Sequence, residues 1–221
     1  MILVSVIVNE ARGILIDAAG NTWTDDVLIG HLNEFGRLTA SVKRDLYTVR
    51  ATVGLQSGVS QEVTQTEVEG DPIDVVALLD ITRNTVSKRS IVQCDKALLD
   101  EVNRFWPTDT EETDVENFSV NVKEPFRFYV TPPNNSYGYV EATLGCVPPE
   151  VDDLTDVWPV QSMYQAAAVD FVLSRAYAMN TKRQDIVKAD FYNKSYGARI
   201  GLGAQAQIAA VPKTADPPEA R

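Results

Sequence analysis

The sequence predicts an α+β protein: a helical bundle formed by N- and C-terminal helices, with an inserted antiparallel β region and an extended C-terminal tail. Three observations carry this expectation. Apolar residues recur at spacings of three and four near both ends of the chain. Between those ends they alternate with period two and are punctuated by glycine. After Gly201 periodicity stops, and proline, alanine and glutamine take over. The expected division is 1–46 with 155–202 for the bundle, 47–154 for the β-rich insertion and 203–221 for the tail.

Residues 2–18 place Leu3, Ile7, Ala11, Ile14, Leu15 and Ala18 on one helical stripe, with Gly20 as the stop signal. The β-branched residues at its start work against the helix. Thr24 is the expected cap of a second helix. Asp25 and Asp26 in its first turn meet the positive end of the helix dipole. Leu28, Leu32, Phe35, Leu38, Val42 and Leu46 then form one apolar face running to about residue 46, and Trp23 is placed to staple onto it.

The period then changes. Tyr47–Val53 and Glu62–Val68 alternate around Gly54, Gly58 and Gly70 and read as paired antiparallel strands. Val75–Ile81, apolar except for Asp80, reads as a short helix running into a buried strand. Ser90–Val92 is a short strand. Asp95 opens a short helix through about Asn103, stopped by Trp106-Pro107. Strands at Phe126–Val130 and Tyr139–Leu144 flank a hairpin-type turn at Pro132-Pro133-Asn134-Asn135. Pro148-Pro149 closes the β region.

Residues 160–179 carry Met163, Ala166, Ala167, Val169, Phe171, Val172, Leu173, Ala176 and Tyr177, apolar on most sides, which suits the centre of a bundle. Asn180-Thr181 breaks that helix. Residues 182–200 form its partner, with Ile186, Ala189, Tyr196 and Ile200 inward and Lys182, Arg183, Lys188 and Lys194 in solvent. So short a break makes an antiparallel hairpin.

The chain has 221 residues, 44% apolar and 23% charged, which suits one large domain or two small ones. A chain of this size buries roughly 70% of its unfolded surface, so its core needs neither metal nor disulfide. There are 31 acidic against 20 basic residues, for a net charge of −11. That balance disfavours a protein that grips nucleic acid, because phosphate affinity comes from Lys and Arg. It leaves open a surface that DNA passes without adhering. Cys94 and Cys146 stand at no metal-ligand spacing and read as buried free thiols in a reducing cytoplasm. The apolar start, Met1–Val8, lacks a positively charged lead, Arg12 being the first basic residue, and no apolar run approaches the ~18 residues of a membrane span. Export and membrane insertion are not expected.

No catalytic constellation stands out. His31 is the single histidine and sits beside the apolar face of the second helix, as a packing or rim residue does. Asp109, Glu111, Glu112, Asp114 and Glu116 crowd into eight residues with no basic partner, a solvated loop. Glu150, Asp152, Asp153 and Asp156 form a second acidic patch. Neither has the ligand spacing of a calcium loop. Gly201-Leu202-Gly203 follows a helix, so it reads as a C-cap and not as a phosphate loop. No cofactor, metal or enzymatic activity is expected. The residues favour a structural or interaction role.

The order of four motifs resembles the head-to-tail adaptor proteins of short-tailed bacteriophages, also called connector or tail-tubular proteins. The first is Trp23-Thr24-Asp25 followed by Leu28 and Leu32-Asn33. The second is Leu79-Asp80-Ile81-Thr82-Arg83-Asn84, with Asp95–Asp100 after it. The third is Pro125-Phe126-Arg127-Phe128-Tyr129-Val130-Thr131-Pro132-Pro133. The fourth is the helix bearing Tyr164, Ala167, Leu173 and Ala176-Tyr177. Together they span roughly residues 23–202, and the long acidic insertion between Pro107 and Pro125 departs from the pattern.

The resemblance implies a homo-oligomeric ring of twelve copies docked beneath the portal protein. It would join the capsid to a tail nozzle or tail-tube protein, with DNA passing through its centre without specific binding. It also implies synthesis in the host cytoplasm, residence at the head–tail junction of the virion, and a C-terminal tail reaching onto the portal. On that basis Gln205, Val211, Pro212, Pro217, Pro218 and Arg221 are expected portal contacts. Asp109, Glu111, Glu112, Asp114 and Glu116 are expected to line the channel or an inter-subunit contact. The alternatives are a tail-completion ring protein lower in the tail, a small metal-dependent hydrolase using the acidic clusters, and a monomeric binding module.

Overall fold

The computed structural model describes residues 2–63, 66–68, 71–121 and 123–201. Its elements, in order, are α1 (Val4–Leu15), α2 (Asp25–Val42), β1 (Thr48–Gly54), β2 (Ser57–Glu62), β3 (Thr66–Val68), β4 (Asp71–Ile73), β5 (Val75–Asn84), β6 (Val92–Gln93), α3 (Lys96–Val102), β7 (Asn117–Asn121), β8 (Glu124–Asn135), β9 (Tyr139–Cys146), α4 (Gln165–Ala178) and α5 (Ile186–Arg199). Short 3₁₀ turns cover Trp106–Thr108 and Ser162–Tyr164. The class is α+β, as expected. The chain divides into two compact units, Met1–Phe35 with Glu150–Arg221, and Gly36–Pro149. The expected tail, 203–221, lies outside the described residues.

In the first unit α4 packs against both α1 and α5. Its unbroken buried run, Ala167–Ser174 followed by Ala176 and Tyr177, matches the apolar sequence read there. Phe35, from α2, meets Trp158, Phe171 and Tyr196 at centroid distances of 6.1, 5.9 and 5.9 Å. Trp23 sits against the end of α4: its indole N–H donates to the Ala176 carbonyl at 3.1 Å and its ring meets Tyr177 edge-on. The one buried carboxylate of α4, Asp170, accepts from Ser195 Oγ and Arg199 Nε, both at 2.6 Å, which ties α5 to it.

Helix α1 departs from its expected span of 2–18. Leu3 offers no side-chain cap. The Val4 and Ser5 N–H groups instead donate to the carbonyls of Asp156 and Leu154, at 3.0 and 2.9 Å. A distant turn therefore satisfies the helix start that the β-branched residues do not favour. The helix ends at Leu15 because Ile16 turns left-handed (φ 54°), its N–H bonding the Arg12 carbonyl. Arg183, expected in solvent, donates to the freed Leu15 and Ile16 carbonyls at 3.3 and 3.1 Å. The buried face is Val4, Ile7, Val8, Ala11 and Leu15; Leu3 and Ile14 are exposed. Likewise α5 begins only at Ile186, after residues 179–185, capped by Asp185, and Ile186 is exposed because only Ala189 and Tyr196, with Ile200 beyond, reach the core. Met163 falls in the 3₁₀ turn and is exposed.

The turn after α1 is built on Asp17, whose carboxylate accepts from the backbone N–H groups of Asn21, Thr22 and Trp23 at 3.1, 3.0 and 2.9 Å. The Trp23 hydrogen bond is the main cause that holds its pKa below the ordinary aspartate value. A depressed folded pKa means that the stabilisation is complete above the unfolded value of about 3.9 and fades as pH falls through the folded one. Asp17→Asn is therefore expected to lower the melting temperature at neutral pH and to flatten its decline on the acid side. A melting profile parallel to that of the native protein over this range would contradict it.

Helix α2 ends at Val42, short of residue 46. Leu28, Leu32 and Phe35 are buried as expected, but Leu38 and Val42 are exposed while Thr39 and Ala40 are buried. At 3.6 residues per turn Thr39 and Ala40 continue the side that Leu28, Ile29, Leu32 and Gly36 bury, and Leu38 and Val42 fall beyond its edge.

The second unit holds a three-stranded sheet ordered β1-β9-β5, a four-stranded sheet ordered β2-β8-β7-β6 and the small β3-β4 pair. Its core joins Val53, Leu78, Ile81, Val140, Ala142 and Leu144 of the first sheet to Phe118, Phe128 and Val130 of the second. Several sequence expectations change here. Strand β1 pairs with β9, and β2 with β8, so the first two strands do not pair with each other. Val75–Ile81 is strand throughout; three register shifts along β5 let a mostly apolar run follow the twist of β9 without a helical turn. Pro132–Asn135 lies inside β8, and the connection to β9 is Ser136–Gly138. The region is not wholly antiparallel, since β6 runs parallel to β7.

Candidate assembly surfaces

The acidic segment 109–116 follows α3 and its 3₁₀ turn and runs into β7. Its carboxylates face outward, as the sequence suggested, but its backbone is fixed. Val115 is buried, its N–H donating to Asn84 Oδ1 at 2.9 Å and its carbonyl accepting from Asn84 Nδ2 at 2.8 Å. Glu112 N–H donates to the Pro133 carbonyl at 2.8 Å. Asn134, with no exposed surface, donates from Nδ2 to the carbonyls of Glu112 and Thr113, both at 3.0 Å, and accepts at Oδ1 from Ser136 and Gly138. Gly138 is required at that corner, because a Cβ there would run into the Asn134 side chain and the Thr113 carbonyl. Asp109 accepts from Asn103 at 3.0 Å and Glu111 from Ser57 at 2.9 Å.

The second acidic patch is a closed turn. Asp156 accepts from the backbone of Asp152 and Asp153, both at 2.9 Å, and Asp153 accepts from the Thr155 N–H and hydroxyl. The Thr155 N–H holds the Asp153 pKa below its usual value. These carboxylates are engaged with their own loop, and among the described residues no group of three or more His, Cys, Asp or Glu is placed to hold a metal ion. His31 sits at the rim as expected, its pKa lowered chiefly by burial, with Glu34 at 3.7 Å opposing. Both cysteines are free. Burial pushes the Cys146 thiol up to about 11. Cys94 is only half-buried, its thiol directed at the Phe118 carbonyl. No helix of the described chain is long and apolar enough to cross a membrane.

Two surfaces escaped the sequence reading. Helix α3 buries none of its own residues. Its Asp95 cap, the Lys96–Asp100 pair at 3.0 Å and the Trp106 indole on Asp100 at 2.8 Å hold it in place, while Leu98, Val102 and Phe105 are 55%, 79% and 76% exposed. Spacings of four and three mark that stripe in the sequence, but periodicity does not say whether a stripe is covered. The other surface is the outer face of the β1-β9-β5 sheet. There Arg83 and Lys88 converge on Glu141, at 3.4 and 2.9 Å. The Lys88 hydrogen bond, aided by the charges of Arg83 and Arg50, holds Glu141 below the usual carboxylate range. The strand pairing that assembles this face joins segments far apart in sequence. The expected portal contacts Gln205, Val211, Pro212, Pro217, Pro218 and Arg221 lie outside the described residues.

No curated protein matches the chain. The order of the chain's motifs resembles that of phage head-to-tail adaptors. The family model of the SU10 adaptor protein matches residues 3–216, across both units, and the chain belongs to that family of phage adaptors.

Proposed function

We propose that this structural phage adaptor forms a ring of twelve copies that docks on the portal and connects the capsid to a tail nozzle or tail-tube protein, with the genome passing through its centre. The single observation that carries the reading is the family match over residues 3–216. The exposed apolar residues of α3 and the charged sheet face support it as surfaces free for assembly. On this reading the helices from both chain ends form a bundle, with residues 47–154 as the β-rich domain inserted between them in sequence. Gln205–Arg221, with Pro212, Pro217 and Pro218 among them, reach onto the portal. An acidic excess facing a channel would keep phosphates from adhering, over the ~8 Å that charges reach at physiological salt.

Electron microscopy of the full chain mixed with its portal rings tests the reading: twelvefold density capping one end of the portal is expected, and a chain that stays monomeric beside bare portals overturns it. The place of the acidic loop is tested separately. With Glu111→Lys and Glu112→Lys in the virion, slowed DNA release marks a channel-facing loop, while unchanged release with impaired ring assembly marks an inter-subunit one.

A further inference from the structure

The outer face of the β1-β9-β5 sheet is a basic island on an acidic protein. Register sets Arg50 opposite Thr143, and both Thr52 and Arg83 opposite Glu141. These side chains stand on the face opposite the buried Val140, Ala142 and Leu144. They line a concavity of about 310 Å³, and Lys88, from the loop after β5, reaches Glu141 there. Two carboxylates answer these three cations: Glu141, shared by Arg83 and Lys88, and Asp80, opposite Thr143. Arg50 acts on Glu141 through its charge but has no side-chain hydrogen bond or ion pair among the described residues.

The loop 109–116 of the same unit has the reverse imbalance: the carboxylates of Glu112, Asp114 and Glu116 have no cationic partner among the described residues. Within one copy the two surfaces are held apart. Asn84 grips the loop at Val115 from the inner side of β5, and Arg83, its neighbour in the chain, points to the outer side. The α3 stripe, uncovered in its own copy, lies just before the loop in the chain.

A ring contact is heterologous, so each copy must present two different surfaces that fit each other. We propose that, in the adaptor ring on which this inference rests, the acidic loop Asp109–Glu116 of one copy docks on the Arg50, Arg83 and Lys88 face of the next, with the α3 stripe covered in the same contact. The charges select the partner surface and its register, and the apolar stripe supplies buried area, since exposed ion pairs alone hold little. The loop is pre-formed by Asn84 and Asn134, so docking does not have to order it.

Charge exchange on the full-length protein tests this. One variant carries Arg50→Glu and Arg83→Glu, a second Glu112→Lys and Asp114→Lys, and a third all four. Assembly is read by sedimentation and by ring counts on portal particles, after thermal unfolding shows each variant folded. Arg50→Gln with Arg83→Gln replaces the first variant if reversal lowers its stability. Each two-site variant is expected to weaken assembly by about tenfold or more, and the four-site variant to recover most of it. Native-like assembly of both two-site variants overturns the contact while leaving the ring itself standing, as does loss in both without recovery in the third. Loss of binding to a labelled DNA duplex by the first variant, with assembly unchanged, assigns the basic face to DNA and also overturns it. Native protein that never assembles, alone or on portals, overturns the ring reading and the contact together.

Discussion

Replacing Asn134 with alanine is expected to lower the unfolding free energy by about 3–5 kcal/mol. The side chain has no exposed surface and connects four backbone groups, the Glu112 and Thr113 carbonyls and the Ser136 and Gly138 N–H groups. Alanine leaves the Thr113 carbonyl and the Ser136 and Gly138 N–H groups without this partner in a partly buried corner, while the Glu112 carbonyl keeps the Asn135 N–H, and each such loss costs on the order of 1–3 kcal/mol before local relaxation recovers part of it. Asn134→Asp keeps the acceptor for Ser136 and Gly138 but sets a carboxylate against two carbonyls, so it is expected to be no milder. The effect has a second readout. With this clamp gone, the 112–116 segment is held only by Asn84 and its main-chain bonds to β8, and amide exchange at Glu112, Glu116 and Gly138 should accelerate well beyond that of α4. A shift in the denaturant midpoint worth less than about 1 kcal/mol would show that the clamp is not what holds the loop.

Removing residues 205–221 is expected to abolish joining to the portal while leaving folding intact. The described core ends at Ile200, so truncation after Ala204 removes none of its members, and the thermal midpoint should move by no more than about 2 °C. Co-sedimentation with portal rings is the measurement. On the adaptor reading the truncated chain stays in the supernatant, and normal attachment would assign portal docking to one of the two units instead. This differs from the charge-exchange variants, which alter contacts between copies and leave the tail in place.

Where a stretch was legible, its own residues carried the reason. The apolar run of α4 reads as a helix buried on most sides because no rotation of it presents a polar face, and it is buried from Ala167 to Ser174. Five carboxylates without a basic partner cannot be buried cheaply, so the loop 109–116 reads as exposed, and Asp109, Glu111, Glu112 and Glu116 are, with Asp114 half-buried. The candidate site was half legible for the same reason. The acids show in the sequence, but the clamp that fixes them does not, because Pro132-Pro133-Asn134-Asn135 carries every local signal of a surface turn while lying inside β8, with Asn134 buried. Leu98, Val102 and Phe105 show the spacing of a covered stripe and are not covered.

Local periodicity, capping and charge were enough to set the class, the helices toward both ends with strands between them, and the solvent side of most of the acids, since each depends on neighbours within a turn or two of chain. Partnership came from the fold alone. It put β1 against β9 instead of β2, started α1 on the carbonyls of Leu154 and Asp156, and ended it under Arg183. A backbone N–H or carbonyl must be paired wherever it is buried, but its own sequence does not say which distant group will do so.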